Sequence, residues 1–173
     1  MTGLLAALVL GAGAAGCIIA ALSVRRSTGV PWGRIVSEDV RGRRHATTLS
    51  APHLGLVGRP DYLLELHDGS LVPVEVKPAR RARRAYDSDV LQLAAYCVLV
   101  EETYGRRPPY GLLHYARRTF QLRYEPSVRA EVLATLAAMH AALEAAVAVD
   151  RDHADEARCR ACALASRCEQ ALV

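Results

Sequence analysis

The sequence predicts an α/β protein: strands with an antiparallel start, a helix packed on their sheet, and a single transmembrane helix ahead of them. Three observations predict it. The chain has 173 residues with 22 Lys+Arg against 18 Asp+Glu, yet no charge precedes Arg25. Extended segments rich in Leu, Val and Tyr follow one another between Leu54 and Val76. At Asp87 the apolar spacing changes from the period of a strand to that of a helix. A polytopic membrane protein would not carry so charged a body, and a disordered chain would not be 51% hydrophobic.

The first element is the run Leu4 to Val24, which holds no charged residue and matches the ~20 apolar residues a helix needs to cross the hydrocarbon. Met1-Thr2-Gly3 supplies no positive charge ahead of the run, and Arg25-Arg26 follow it. This pattern favours an uncleaved anchor over residues 1–26, the alternative being a cleaved secretory signal. Arg25, Arg26 and Arg34 predict an outside N-terminus and a cytoplasmic body held to the membrane through residues 4–24. The five cysteines, Cys17, Cys97, Cys159, Cys162 and Cys168, are odd in number and unevenly spread, which fits a reducing compartment.

Residues 27–53 read as a polar connector with one short element. The globular domain is expected over 54–173. Leu54 to Val57, Asp61 to His67 and Leu71 to Val76 are expected strands, and Asp68-Gly69 turns the last two into a hairpin. Val90, Leu91, Ala94, Ala95, Val98 and Leu99 recur at helical spacing, predicting a helix from Asp87 to Tyr104 with Asp87 or Ser88 as its cap. After Pro108-Pro109, Tyr110 to Ala116 and Thr119 to Tyr124 suggest a second hairpin, and a long Ala/Leu helix is expected from Ser127 to near Val149. A polar tail with a cysteine module at 158–168 closes the chain.

Chemistry concentrates between Gly58 and Lys77. Strand alternation puts Glu75 and Lys77 on one face, and antiparallel pairing can bring Asp61 beside Glu75. Paired carboxylates suit Mg²⁺ or Mn²⁺, which usually reach a protein through one or two acids plus substrate phosphate. The alternative is a surface ion pair on a strand edge. On the following helix Gln92 and Tyr96 lie four apart, hence on one face. Arginines cluster at Arg41, Arg43 and Arg44, at Arg80, Arg81, Arg83 and Arg84, and at Arg106, Arg107, Arg117 and Arg118. Clustered arginine suits phosphate, or equally a solvated or membrane-facing surface.

Gly58-Arg59-Pro60-Asp61, Glu75-Val76-Lys77, Gln92-Leu93-Ala94-Ala95-Tyr96 and the closing cysteines occur in an order that resembles the PD-(D/E)XK nuclease superfamily. The likeness is to its RecB-like branch, which includes the CRISPR-associated exonucleases, and it runs from about Glu38 to Cys168. The resemblance implies a restriction-endonuclease-like core, a mixed central sheet flanked by helices, and Mg²⁺- or Mn²⁺-dependent cleavage of DNA, typically single-stranded and from an end. It makes Asp61, Glu75 and the carbonyl of Val76 metal ligands, Lys77 the catalytic lysine, and Gln92 and Tyr96 supports for the lysine and the DNA. Arg59, Arg80, Arg81, Arg83 and Arg84 would contact the DNA backbone.

The branch also has an upstream His or acid completing the metal shell. Glu38, Asp39, His45 and His53 are the candidates, and the turn-rich surroundings of the histidines favour Asp39 or Glu38. Members often hold a 4Fe-4S cluster through one N-terminal and three C-terminal cysteines. Cys159, Cys162 and Cys168 match the C-terminal set, but Cys17 lies within the apolar run and Cys97 beside Tyr96 on the helix. Three outcomes stay open: a 4Fe-4S cluster with a non-cysteine ligand such as His153, a Zn²⁺ site of Cys3His type, or free thiols. The functional expectation is a membrane-tethered DNA exonuclease. A catalytically silent nucleic-acid-binding or assembly module, or an anchored body that only binds a partner, are the alternatives.

Overall fold

The structure is a computed structural model. It describes residues 31, 33–40, 43–44, 47–145, 150–151 and 153–172, and residues 11, 13, 14, 16–19 and 23 of the apolar run. The described residues of that run are helical, and no helix among the described residues is long and apolar enough to cross a membrane. The rest of the predicted span 4–24 lies outside the described residues. By its contacts the chain divides into two compact units, Met1–Ala134 and Thr135–Val173.

The first unit is built on a six-stranded sheet in the order β2-β1-β5-β6-β7-β8. Its strands are β1 (Arg34–Val40), β2 (Arg43–Arg44), β5 (Tyr62–Glu65), β6 (Leu71–Lys77), β7 (Tyr110–Tyr115) and β8 (Arg118–Arg123). A separate two-stranded sheet pairs β3 (Leu49–Ala51) with β4 (Leu56–Gly58). β5 and β6 form the hairpin expected at Asp68-Gly69. Gly69 turns with φ +75°, and the Asp68 carboxylate accepts the Ser70 amide at 2.9 Å. β6 then pairs in parallel with β7, and that change of direction makes the sheet mixed.

Parallel neighbours need a crossover, and helix α1 (Asp87–Tyr104) supplies it. Leu99 and Val100 pack with Leu49, Ala51 and Leu63, while Leu93 packs with Leu113 and Tyr115. This is the α/β architecture expected, a mixed sheet with helix packing. Gly105, at φ +64°, ends the helix. Tyr86 in extended conformation, not Asp87 or Ser88, is the N-cap and makes no side-chain cap bond. Its carbonyl instead takes the amides of Asp89 and Val90, both at 3.0 Å. Helix α2 (Pro126–Glu144) starts one residue before the expected Ser127, with proline in the first turn where its missing N–H costs nothing.

The largest correction concerns residues 27–53. Instead of a connector, this stretch supplies β1, β2 and β3, and β1 lies between β2 and β5 in the main sheet. Its pattern was unreadable because β1 is bulged: Ile35 faces Leu64, but Ser37 faces Leu63. The extra residue breaks the period of two and leaves Ile35 and Val36 exposed. Leu54 also departs from expectation, ending a 3-10 turn over Pro52–Leu54 before β4 begins.

In the second unit, helix α3 (Glu156–Ala161) is capped by Asp155, whose carboxylate accepts the Ala157 amide at 2.8 Å. Arg151 binds the C-terminal segment of this unit: its amide donates to the Gln170 side chain at 3.0 Å and its Nε to the Gln170 carbonyl at 2.9 Å.

Candidate active site

Tyr62 of β5 faces Val74 of β6 in the antiparallel register, so Asp61 and Glu75 come next along the two arms. Asp61 Oδ2 accepts the Val76 amide at 2.7 Å, which fixes the carboxylate against the strand that carries Glu75 and Lys77. Lys77 Nζ lies 2.7 Å from Glu75 Oε1, as strand alternation requires of residues two apart. Glu75 is only 5% exposed. Burial pushes its pKa up, Asp61 and Asp89 add to this, and the Lys77 ammonium works against it. Burial alone would lower the pKa of Lys77, but the hydrogen bond and charge of Glu75, with Asp89 and Tyr96, raise it overall. The lysine stays a cation.

Gln92 and Tyr96 meet on one half-buried face of α1, with Gln92 Nε2 donating to the Tyr96 hydroxyl at 2.8 Å. Burial raises the Tyr96 pKa, and Glu75 and Asp61 raise it further, so its hydroxyl sits within the field of the acids. Gly58 makes this approach possible. A Cβ there would lie 2.8 Å from Tyr96 Cε1 and 2.9 Å from Leu99 Cδ1. The glycine of Gly58-Arg59-Pro60-Asp61 is therefore a steric allowance for the helix. Pro60 is buried behind Asp61.

A further acid, Asp89, lies close to this group. Its side chain is buried, and its Oδ2 accepts from the Tyr115 hydroxyl at 2.5 Å and lies 3.4 Å from Arg80 Nε. The Tyr115 hydroxyl in turn accepts the Tyr86 amide at 3.1 Å. Tyr115 is fully buried and is the register partner of Lys77. No local signal marks either residue: an Asp in a first helical turn reads as a dipole partner and a strand Tyr as core.

Arg80 is engaged by Asp89 and lies 4.4 Å over the Tyr86 ring. Arg59, Arg81, Arg83 and Arg84 are exposed. Of the upstream ligand candidates, Glu38 and Asp39 lie on β1, where the Glu38 backbone faces Tyr62, the neighbour of Asp61. Their side chains, and all of His45, lie outside the described residues. His53 is drawn elsewhere, with Nε2 3.2 Å from Glu102 Oε2.

Asp61 and Glu75 suit a hard cation in donor type. Asp61 Oδ2 and Glu75 Oε1 are committed to Val76 and Lys77, which leaves one oxygen of each carboxylate for a metal. Among the described residues no three His, Cys, Asp or Glu side chains are arranged to hold a metal ion; ions of this kind commonly take their remaining ligands from water and substrate oxygens. In the second unit, Cys159, Cys162, Cys168 and His153 line one cavity of about 520 Å³. The Leu164 amide points at Cys162 Sγ at 3.4 Å. These donors share a cavity without forming a closed shell. Cys97 stands apart: burial pushes its thiol up to about 12, with Glu101 adding to the shift, so it is an inert core residue.

No curated protein matches this chain. Solved structures that match include the crystal structure of SSO0001, with 19% identity and a TM-score of 0.49, covering 74% of this chain. The chain spans 59% of that protein's length. The family model of the PD-(D/E)XK nuclease superfamily matches residues 18–169. With most of its length accounted for, the chain belongs to the PD-(D/E)XK nuclease superfamily.

Proposed function

We propose that the chain is a Mg²⁺- or Mn²⁺-dependent deoxyribonuclease that degrades single-stranded DNA from an end. The observation that carries this reading is the meeting of Asp61, Glu75 and Lys77 at the end of the β5–β6 hairpin, with Tyr96 in their field. Asp61, Glu75 and the Val76 carbonyl hold the metal, with Asp39 or Glu38 as the further ligand from β1. When bound, the ion supplies a water of lowered pKa and stabilises charge on the phosphodiester. Lys77 Nζ places a positive charge beside the scissile phosphate, and Gln92 and Tyr96 orient the lysine and the strand. The motif order supports a place in the RecB-like branch, with the CRISPR-associated exonucleases.

Two finer features belong to the same proposal. Residues 4–24 anchor the chain in a membrane with the catalytic domain cytoplasmic, a reading supported by the uncharged run and the arginines after it. Cys159, Cys162 and Cys168 bind a 4Fe-4S cluster or Zn²⁺, supported by the cavity they share with His153. Iron and zinc analysis of anaerobically purified protein separates these two, and a protein with neither sinks the cysteine assignment.

The test of the activity is degradation of end-labelled single-stranded DNA by the full-length chain with Mn²⁺. Lys77→Ala and Glu75→Ala should each lower the rate by a factor of about 10³ or more, on the order of 4 kcal/mol of transition-state stabilisation. Cleavage that survives both substitutions overturns the site. Binding of DNA without cleavage by the unaltered chain would point to the silent module instead.

A further inference from the structure

Two exposed arginine clusters that are distant in sequence meet at the Lys77 end of the sheet. The loop after β6 carries Arg81, Arg83 and Arg84, the β7–β8 turn carries Arg117, and Arg118 opens β8 directly after it. Two hydrogen bonds join them: the Ala116 amide donates to the Arg80 carbonyl at 3.0 Å, and Arg118 donates to the Arg83 carbonyl at 3.4 Å. The register runs across three strands, from Lys77 to Tyr115 to Arg118. The turn therefore borders the strand end that carries the candidate catalytic lysine.

Several arginines elsewhere in the unit are neutralised. Arg34 pairs with Glu65, Arg107 with Glu101, and Arg129 with Glu101 and Glu102. Arg80, in the same loop, is taken by Asp89. Arg81, Arg83, Arg84, Arg117 and Arg118 have no carboxylate partner among the described residues. Their sequence neighbours from Pro78 to Tyr86 and from Ala116 to Phe120 include no acid. Five guanidinium groups with neither burial nor counter-charge repel one another, a cost that an extended polyanion removes.

We propose that this rim is the track for the sugar-phosphate backbone of a single-stranded nucleic acid, with the β7–β8 turn as half of it. The proposal rests on the nuclease reading for its direction toward Lys77. A flexible single strand fits because the cations lie on two separate loops rather than along one helix, so the chain bends to reach both. Guanidinium groups would bind phosphate oxygens without reading bases, so binding is sequence-tolerant and salt-dependent.

The test is fluorescence anisotropy of a labelled single strand of about 20 nucleotides, longer than one typical single-strand site, with the full-length chain in EDTA across a NaCl series. Two double variants sample the two loops: Arg117→Gln/Arg118→Gln, and Arg81→Gln/Arg84→Gln. Each should weaken binding about tenfold and lower the salt slope by about 1.4, at ~0.7 for each phosphate no longer neutralised. Arg34→Gln, on the opposite side of the sheet order, should leave both unchanged. The track is overturned if both double variants bind as the unaltered chain does, or if Arg34→Gln weakens binding equally, which would report net charge alone. It is also overturned if the double variants lose binding to phosphatidylglycerol vesicles while keeping DNA affinity, since the rim would then face a membrane. Because EDTA prevents metal-dependent cleavage, arginine-dependent binding by a chain that never cuts DNA supports the track while sinking the nuclease proposal.

Discussion

The Tyr115 hydroxyl donates to Asp89 Oδ2 across 2.5 Å while accepting the Tyr86 amide across 3.1 Å. One buried hydroxyl thus joins the end of β7 to the first turn of α1, the helix that carries Gln92 and Tyr96. Arg80 completes the arrangement by closing on the same Asp89 oxygen. The Arg80 amide is itself bonded to the Lys77 carbonyl at 3.0 Å, so the network ends one step from the candidate lysine.

Removing Asp89 should therefore affect stability and site geometry together. Asp89→Ala leaves a buried hydroxyl and a guanidinium without their acceptor, a loss of about 3 kcal/mol. That corresponds to a fall in Tm of roughly 6–12 °C for a chain of this length. Tyr115→Phe should cost less, about 1–2 kcal/mol, and the double variant less than the sum. Thermal melts of the four proteins of this cycle check it. Additive effects would show that the two side chains are not coupled.

Glu75 gives a pH-dependent expectation. Its folded pKa is raised above the model-peptide value of 4.5, chiefly by burial. The stability it contributes is therefore complete below that value and is lost as pH rises through the folded pKa. Glu75→Gln removes the buried charge. In EDTA at about pH 7.5 this variant should melt above the unaltered protein, and the difference should vanish near about pH 4. Mn²⁺ should raise the Tm of the unaltered protein and leave that of Glu75→Gln nearly unchanged. A Gln variant that is less stable at neutral pH than in acid, relative to the unaltered chain, would contradict the assigned direction.

Gly58→Ala tests the close approach of α1. Since the added methyl meets the Tyr96 ring and Leu99 inside normal contact, overpacking of about 1–3 kcal/mol is expected. Tyr96 must shift to relieve it. DNA degradation should drop well beyond what the lowered Tm explains, and near-ultraviolet circular dichroism should report the displaced tyrosine. Unchanged activity and spectrum would mean that the ring position does not matter.

The local chemistry of the sequence determined the order of elements and the neighbourhood of the acids. Asp68-Gly69 makes a tight turn wherever it stands between two strand-like runs, and a hairpin so closed can only return Glu75 toward Asp61. The spacing of Val90 to Leu99 likewise required a helix, because no other period buries those residues on one side. Tertiary structure decided what these signals could not express. β1 was hidden because its bulge destroys the alternation that makes a strand legible. Asp89 and Tyr115 are 26 residues apart, and only the packing of the crossover helix against β7 brings them together. The arginines all look alike in the sequence. Which of them are neutralised and which are left without a counter-charge depends on where the carboxylates fall in space, since an ion pair forms over a few ångströms and not over a count of residues.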